Sequence, residues 1–80
     1  MSKRDDSEMC WTLRFGHHLQ RMLRIHGMSQ GELAQKVGLT QAMVSRYIHG
    51  VSVPSVYKVC QIANAIGCDI SDLIKNEYDI

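Results

Sequence analysis

The segment SQGELAQKVGLTQAMVSRYIHG, residues 29–50, has the grammar of two short helices joined by a glycine turn. Ser29 and Glu32 stand at the S-x-x-E spacing of a capping box, in which the hydroxyl accepts a backbone N–H of the first turn and the carboxylate accepts the cap residue's own N–H. Met28 and Leu33 flank the box as a hydrophobic staple. Gly38 falls where the end of a helix wants positive φ, and Thr40 offers a second cap with its own staple, Leu39 and Val44. A connection as short as Gly38-Leu39-Thr40 makes the two helices cross steeply. The crossing calls for a small residue, which we place at Ala34, opposite Val44. Leu33, Val37, Leu39, Val44 and Tyr47 then face inward. Gln41, Ala42, Ser45 and Arg46 face out from the second helix.

Working outward, Phe15, Leu19, Met22 and Leu23 recur at i, i+4, i+7 and i+8. This spacing predicts a first helix that begins near Trp11 or Thr12 and stops at Gly27, with Arg14, His18 and Arg21 largely outside. Trp11 is expected to pin that helix to the core. Residues 1–10 are polar, mixed in charge and without period, the pattern of a flexible arm. Downstream, Gly50 ends the second motif helix and Pro54 suits the first turn of a fourth. Val56, Val59, Cys60, Ile62, Ala63 and Ile66 form the inner side of that fourth helix, and Gly67 ends it. A short fifth helix opens with Asp69 as cap, Asp72 three residues later and Cys68/Leu73 as staple. Neither strand alternation nor an internal repeat is present. The expectation is an all-α, five-helix domain over residues 11–76, with 77–80 as a tail.

Eighty residues form one small domain, of a size that buries only about 60% of the unfolded chain's surface. A partner copy would add to its stability. No apolar run approaches the ~20 residues of a membrane span, and no apolar signal core follows Met1; a cytoplasmic location is expected. The formal net charge is only +1, but its distribution is uneven. Residues 12–68 carry Arg14, Arg21, Arg24, Lys36, Arg46 and Lys58 against Glu32 alone, a net +5, while the two ends are acidic. A basic body with acidic ends suits a nucleic-acid binder whose ends face away from the phosphates.

The residues of the motif resemble the helix-turn-helix of the phage repressor and Cro family of DNA-binding proteins. The likeness spans roughly residues 15–73. It includes the lead-in Gly27-Met28-Ser29-Gln30, the pair Leu33-Ala34, the turn glycine Gly38, then Gly50, Pro54-Ser55 and Ile62-Ala63. The resemblance implies a compact lambda-repressor-like domain that binds duplex DNA as a homodimer on a palindromic operator and regulates transcription, as a repressor. It also implies that the first residues of the recognition helix, and one five positions on, meet base edges: here Gln41, Ala42 and Arg46, with Ser45 between them. The chemistry agrees, since glutamine matches adenine N6/N7, the arginine fork matches guanine O6/N7, and Ala42 offers apolar contact to a thymine methyl. Gln30, at the start of the first motif helix, is implied to hold a phosphate and brace Gln41; helix N-termini attract phosphate in any case. Lys36, Ser52, Tyr57 and Lys58 are the further candidates for the DNA backbone, with His26 and His49 behind them. One departure stands out. Many members carry an arginine in the first helix and a glutamate near the end of the recognition helix that pair through the core, and the matching positions here are Leu23 and Ile48.

Other chemistries find little footing. Cys10, Cys60 and Cys68 are an odd number without C-x-x-C spacing, so neither a disulfide framework nor a zinc site is expected; Cys60 and Cys68 read as small core residues. His17 and His18 point to different sides of a helix, and His26 and His49 sit near helix ends, where capping is their natural use. No metal, cofactor or small-molecule ligand is called for. Without paired carboxylates on one face, a phosphate-cradling glycine loop or a nucleophile beside a base, an enzyme is not expected. The competing reading is a protein-interaction module, such as an antitoxin or anti-regulator, on the same fold. Since the chain stops shortly after the motif domain, no separate oligomerisation or sensing domain is expected.

Overall fold

The computed structural model describes residues 3–74, with side chains described from Trp11 onward. Five helices follow one another: α1 (Lys3–Ile25), α2 (Gln30–Val37), α3 (Gln41–Ile48), α4 (Val56–Ile66) and α5 (Ile70–Ile74). No strand occurs among the described residues. The Ser29/Glu32 capping box is formed in both directions, with Glu32 N–H donating to Ser29 Oγ at 3.0 Å and Ser29 N–H to Glu32 Oε1 at 2.8 Å. Thr40 Oγ1 accepts from Met43 N–H at 3.2 Å and Ser55 Oγ from Lys58 N–H at 3.1 Å. At α5 the Asp72 carboxylate accepts the Asp69 N–H at 3.1 Å. The predicted stops Gly27, Gly38, Gly50 and Gly67 all take positive φ.

The helices close into a ring in which each has two principal neighbours: α1 packs on α3 and α5, α2 on α3 and α4, and α4 on α5. Every helix sends at least one fully buried side chain to the centre, namely Phe15 and Leu19, Leu33, Val44, Ile62 and Leu73. Trp11, 38% exposed, stacks on Phe15 one turn along the same helix with ring centroids 5.6 Å apart, and so covers the end of the core rather than entering it. Cys68 packs against the core and Cys60 is half-buried. Burial, then the carboxylates of Asp72 and Asp69, push the Cys68 thiol up from its ordinary value. No described helix is long and apolar enough to cross a membrane.

Four local expectations are corrected. First, α1 begins at Lys3 rather than near Trp11. Nothing in the sequence of residues 3–10 breaks a helix, and a helix already nucleated by the Phe15 stripe propagates backward cheaply. Second, His18 is 1% exposed, not outside. It lies only about 60° from Phe15 around the helix, and α1 is packed by both α3 and α5, so its buried face is wider than one apolar stripe. Third, Val56 is 80% exposed: its angular position is right, but the first turn of α4 extends past the helices that cover Val59 and Ile62. Fourth, Pro54 is buried just before the Ser55 cap rather than inside the first turn of α4, because the Ser55 hydroxyl takes the capping role. The expected tail at 77–80 lies outside the described residues.

Candidate nucleic-acid interface

Helix α3 is held on one side by α1 and α2 and is free on the other. At 100° per residue, Val44, Tyr47 and Ile48 cover about 100° of its circumference, and Gln41, Ala42, Ser45 and Arg46 another ~140°. The first set is buried; Gln41, Ala42 and Arg46 are exposed, and Ser45 is half-buried. The partition follows from sequence alone, since two apolar neighbours can only cover one side of an eight-residue helix.

Two contacts restrict how the outer side chains point. The Gln41 carboxamide reaches back over the first turn of α2, where a Cβ added to Gly31 would come within 3.3 Å of Gln41 Oε1. Its oxygen thus lies over the positive end of α2 and can accept from an outside donor. Gln30 precedes Gly31 and is half-buried at the start of α2, the same turn that the Gln41 carboxamide overlies. At the other end of α3, Arg46 Nε donates to Ser52 Oγ at 3.1 Å. Beside it, His49 Nδ1 lies 2.8 Å from the Ser45 carbonyl oxygen and 3.4 Å from the Ser45 hydroxyl. A carbonyl only accepts, so Nδ1 carries the proton, and His49 closes the end of α3.

The two lysines fall elsewhere. Lys36 lies in the last turn of α2 and borders a shallow cleft with Val37, Gln61, Asn64 and Ala65. Lys58 Nζ donates to the Val37 carbonyl at 3.3 Å, satisfying an end group of α2. Both therefore cluster at the C-terminal end of α2, away from Gln30 and Gly31. Tyr57, 70% exposed, stands in the first turn of α4. No set of three or more histidine, cysteine or acidic residues could hold a metal among the described residues.

Because Lys58 caps α2, its removal acts on stability. Lys58→Ala is expected to cost about 0.5–1.5 kcal/mol, a fall in Tm of several degrees for a domain of this size. Thermal unfolding checks this, and an unchanged Tm would remove the capping role.

Two contacts escaped sequence reasoning, which offers Ser52 only as a candidate for the DNA backbone. The bond from Arg46 to Ser52 depends on how the chain turns after α3, which spacing does not reveal. Gly31 had a usable signal: a glycine inside a helix costs about 1 kcal/mol relative to alanine, so its presence in the first turn of α2 asks for a close neighbour, and Gln41 is that neighbour.

The comparisons with known proteins bear on this arrangement. The helix-turn-helix family profile matches residues 19–73. No curated protein matches the chain. Among solved structures, the restriction-modification controller protein C.AhdI from Aeromonas hydrophila superposes with a TM-score of 0.77 at 25% identity, covering 81% of this chain and 94% of that one. The clp gene regulator ClgR from C. glutamicum gives a TM-score of 0.76 at 19% identity, covering 79% and 82%. An HTH_3 family transcriptional regulator from Vibrio cholerae gives 0.79 at 21% identity and covers 88% of this chain but 39% of that longer protein. With the profile running from the middle of α1 to α5 and the capped α2–turn–α3 unit at its centre, the chain belongs to the helix-turn-helix family of DNA-binding transcriptional regulators of phage repressor and Cro type, a non-enzymatic family.

Proposed function

We propose that this chain represses transcription by occupying a palindromic operator as a homodimer in the cytoplasm, with α3 in the major groove. The observation that carries the reading is the outer face of α3, where Gln41, Ala42 and Arg46 stand exposed while the opposite face is locked into the core. Gln41 and Arg46 read base edges, Ala42 meets a thymine methyl, and Ser45 adds a hydroxyl at the same face. Gln30, at the N-terminus of α2, and Tyr57, at that of α4, hold phosphates on either side. Lys36 and Lys58 act through the field of the basic body more than by contact. Two copies reading half-sites about one helical turn apart would match the symmetry of such an operator. The exposed Ile70 and Ile74 on α5 are the surface we assign to pairing.

Selection of bound duplexes from a random pool tests the reading directly, because it yields the site, its symmetry and its length together. On the selected site, Arg46→Ala is expected to cost about 1–3 kcal/mol and to relax preference at one base pair per half-site. An equal loss on every sequence would make Arg46 a phosphate anchor and leave base reading to Gln41 and Ala42. Affinity should fall steeply with salt as counterions are released. A response that is flat in salt, with no enriched sequence, would favour the protein-interaction module instead.

A further inference from the structure

We infer that Ser52, outside the recognition helix, is a positioning residue that selects which edge of the Arg46 guanidinium is offered to DNA. The inference rests on the proposed base-reading role of Arg46 and adds to it a specificity determinant in the loop between α3 and α4.

The loop is folded so that this contact follows from the backbone. His49 ends α3 and Gly50 turns the chain with φ 73°. Gly50 N–H then donates to the Tyr47 carbonyl at 3.2 Å and Val51 N–H to the Arg46 carbonyl at 2.9 Å. These two bonds, from the first and second residues past the cap to carbonyls three and five residues back, make a Schellman closure. The chain therefore doubles back along the last turn of α3 and is tied to the main chain of Arg46 itself. Buried Pro54 and the Ser55 cap hold the far end of the loop. Between these anchors Ser52, half-buried, meets the Arg46 side chain with Oγ 3.1 Å from Nε.

The chemistry of that bond limits what Arg46 can do. A guanidinium has five N–H donors and presents two forks. The side-on fork uses Nε and one Nη; the end-on fork uses both Nη atoms. With Nε–H given to Ser52, the side-on fork is engaged. The end-on fork, furthest from the helix, is left for a partner with two adjacent acceptors, which is what guanine O6 and N7 present. Holding the side chain there before binding also reduces the rotamer freedom lost on association. The Ser52 hydroxyl keeps its own proton for another acceptor, so a phosphate contact by Ser52 is a distinct outcome, separable by experiment.

The test combines a readout in free protein with a binding cycle. In the free protein the Arg46 Nε–H resonance should exchange slowly with water, lose that protection in Ser52→Ala and keep it in Ser52→Thr, which retains the hydroxyl. On the selected operator Ser52→Ala should weaken binding about two- to tenfold, flatten discrimination at the same base pair as Arg46→Ala, and add nothing to the loss in the double variant. A uniform loss on all sequences, with a salt slope lower by about one, would make Ser52 a phosphate contact and overturn the inference while the role of Arg46 stood. An unprotected Nε–H in the wild-type protein would overturn it too. If Arg46→Ala itself showed no base preference, the base-reading role would fail first and take the inference with it.

Discussion

Gly16→Ala is expected to destabilise the fold by about 3 kcal/mol or more, although alanine is the better helix former. In an exposed helix the change would stabilise by up to about 1 kcal/mol. Here a Cβ would overlap the Ile48 carbonyl oxygen and lie 2.7 Å from both the Ile48 carbonyl carbon and the Tyr47 carbonyl oxygen. All three are backbone atoms, so no rotamer change relieves the overlap; α1 and the end of α3 would have to separate. Overpacking of a core costs about 1–3 kcal/mol even when side chains can yield, and against rigid backbone we expect the upper end or beyond. A domain of this size has only about 4–12 kcal/mol to lose. The expected fall in Tm is more than about 10 °C, measured by thermal unfolding. Because Gly16 seats the end of α3 on α1, the folded remainder should also bind the selected operator less tightly. A Tm equal to or above that of the wild type would show that the two helices do not approach this closely.

The same position illustrates where the sequence is legible and where it is not. Caps, staples and stops are local, so Ser29, Thr40, Gly38 and Gly50 could be read directly, and the helices they delimit are the ones observed; the Ser55 cap was hidden behind Pro54, which suits a first turn equally well. The outer face of α3 was legible for a related reason, since periodicity separates Gln41, Ala42 and Arg46 from Val44, Tyr47 and Ile48. What a helix packs against is not local. The crossing inside the motif drew attention to Ala34, whereas a second close approach, at Gly16, brings α1 so near the end of α3 that an added Cβ would overlap the Ile48 carbonyl. His18 reads as polar surface until α1 is seen to carry neighbours on two sides, and Val56 reads as core until α4 is seen to outrun its partners. At the candidate site, residue types and helix phase were visible, but the aim of Gln41 and Arg46 was not. Gly31 and Ser52 set that aim through contacts ten and six residues distant in sequence, each created by a turn.

Ile48→Glu is expected to cost roughly 3 kcal/mol or more, and the reason connects the family resemblance to the core. Leu23 and Ile48 stand where many relatives carry the paired arginine and glutamate, and both are buried here, at 4% and 8% exposure. They border the same cleft, with Gln20, Arg24, Met28, Ser29 and Gln30 around it. An apolar pair in place of a buried ion pair is often neutral or stabilising, because neither charge has to leave water. Restoring only the carboxylate recreates the worst case, a buried charge without its partner. Arg24 is exposed at the cleft's edge and can approach the new carboxylate only by drawing it toward water, away from the site left by isoleucine. The penalty should shrink as pH falls into the carboxyl range, since burial raises the pKa of the new group and protonation removes the charge. Adding Leu23→Arg should recover part of the loss at neutral pH, and the double variant should weaken as acid protonates the carboxylate, the opposite trend to the single one. Chemical denaturation of the wild type, both single variants and the double variant across pH gives the coupling energy. Purely additive losses would show that the two positions do not meet, and that Leu23 and Ile48 became aliphatic for separate reasons.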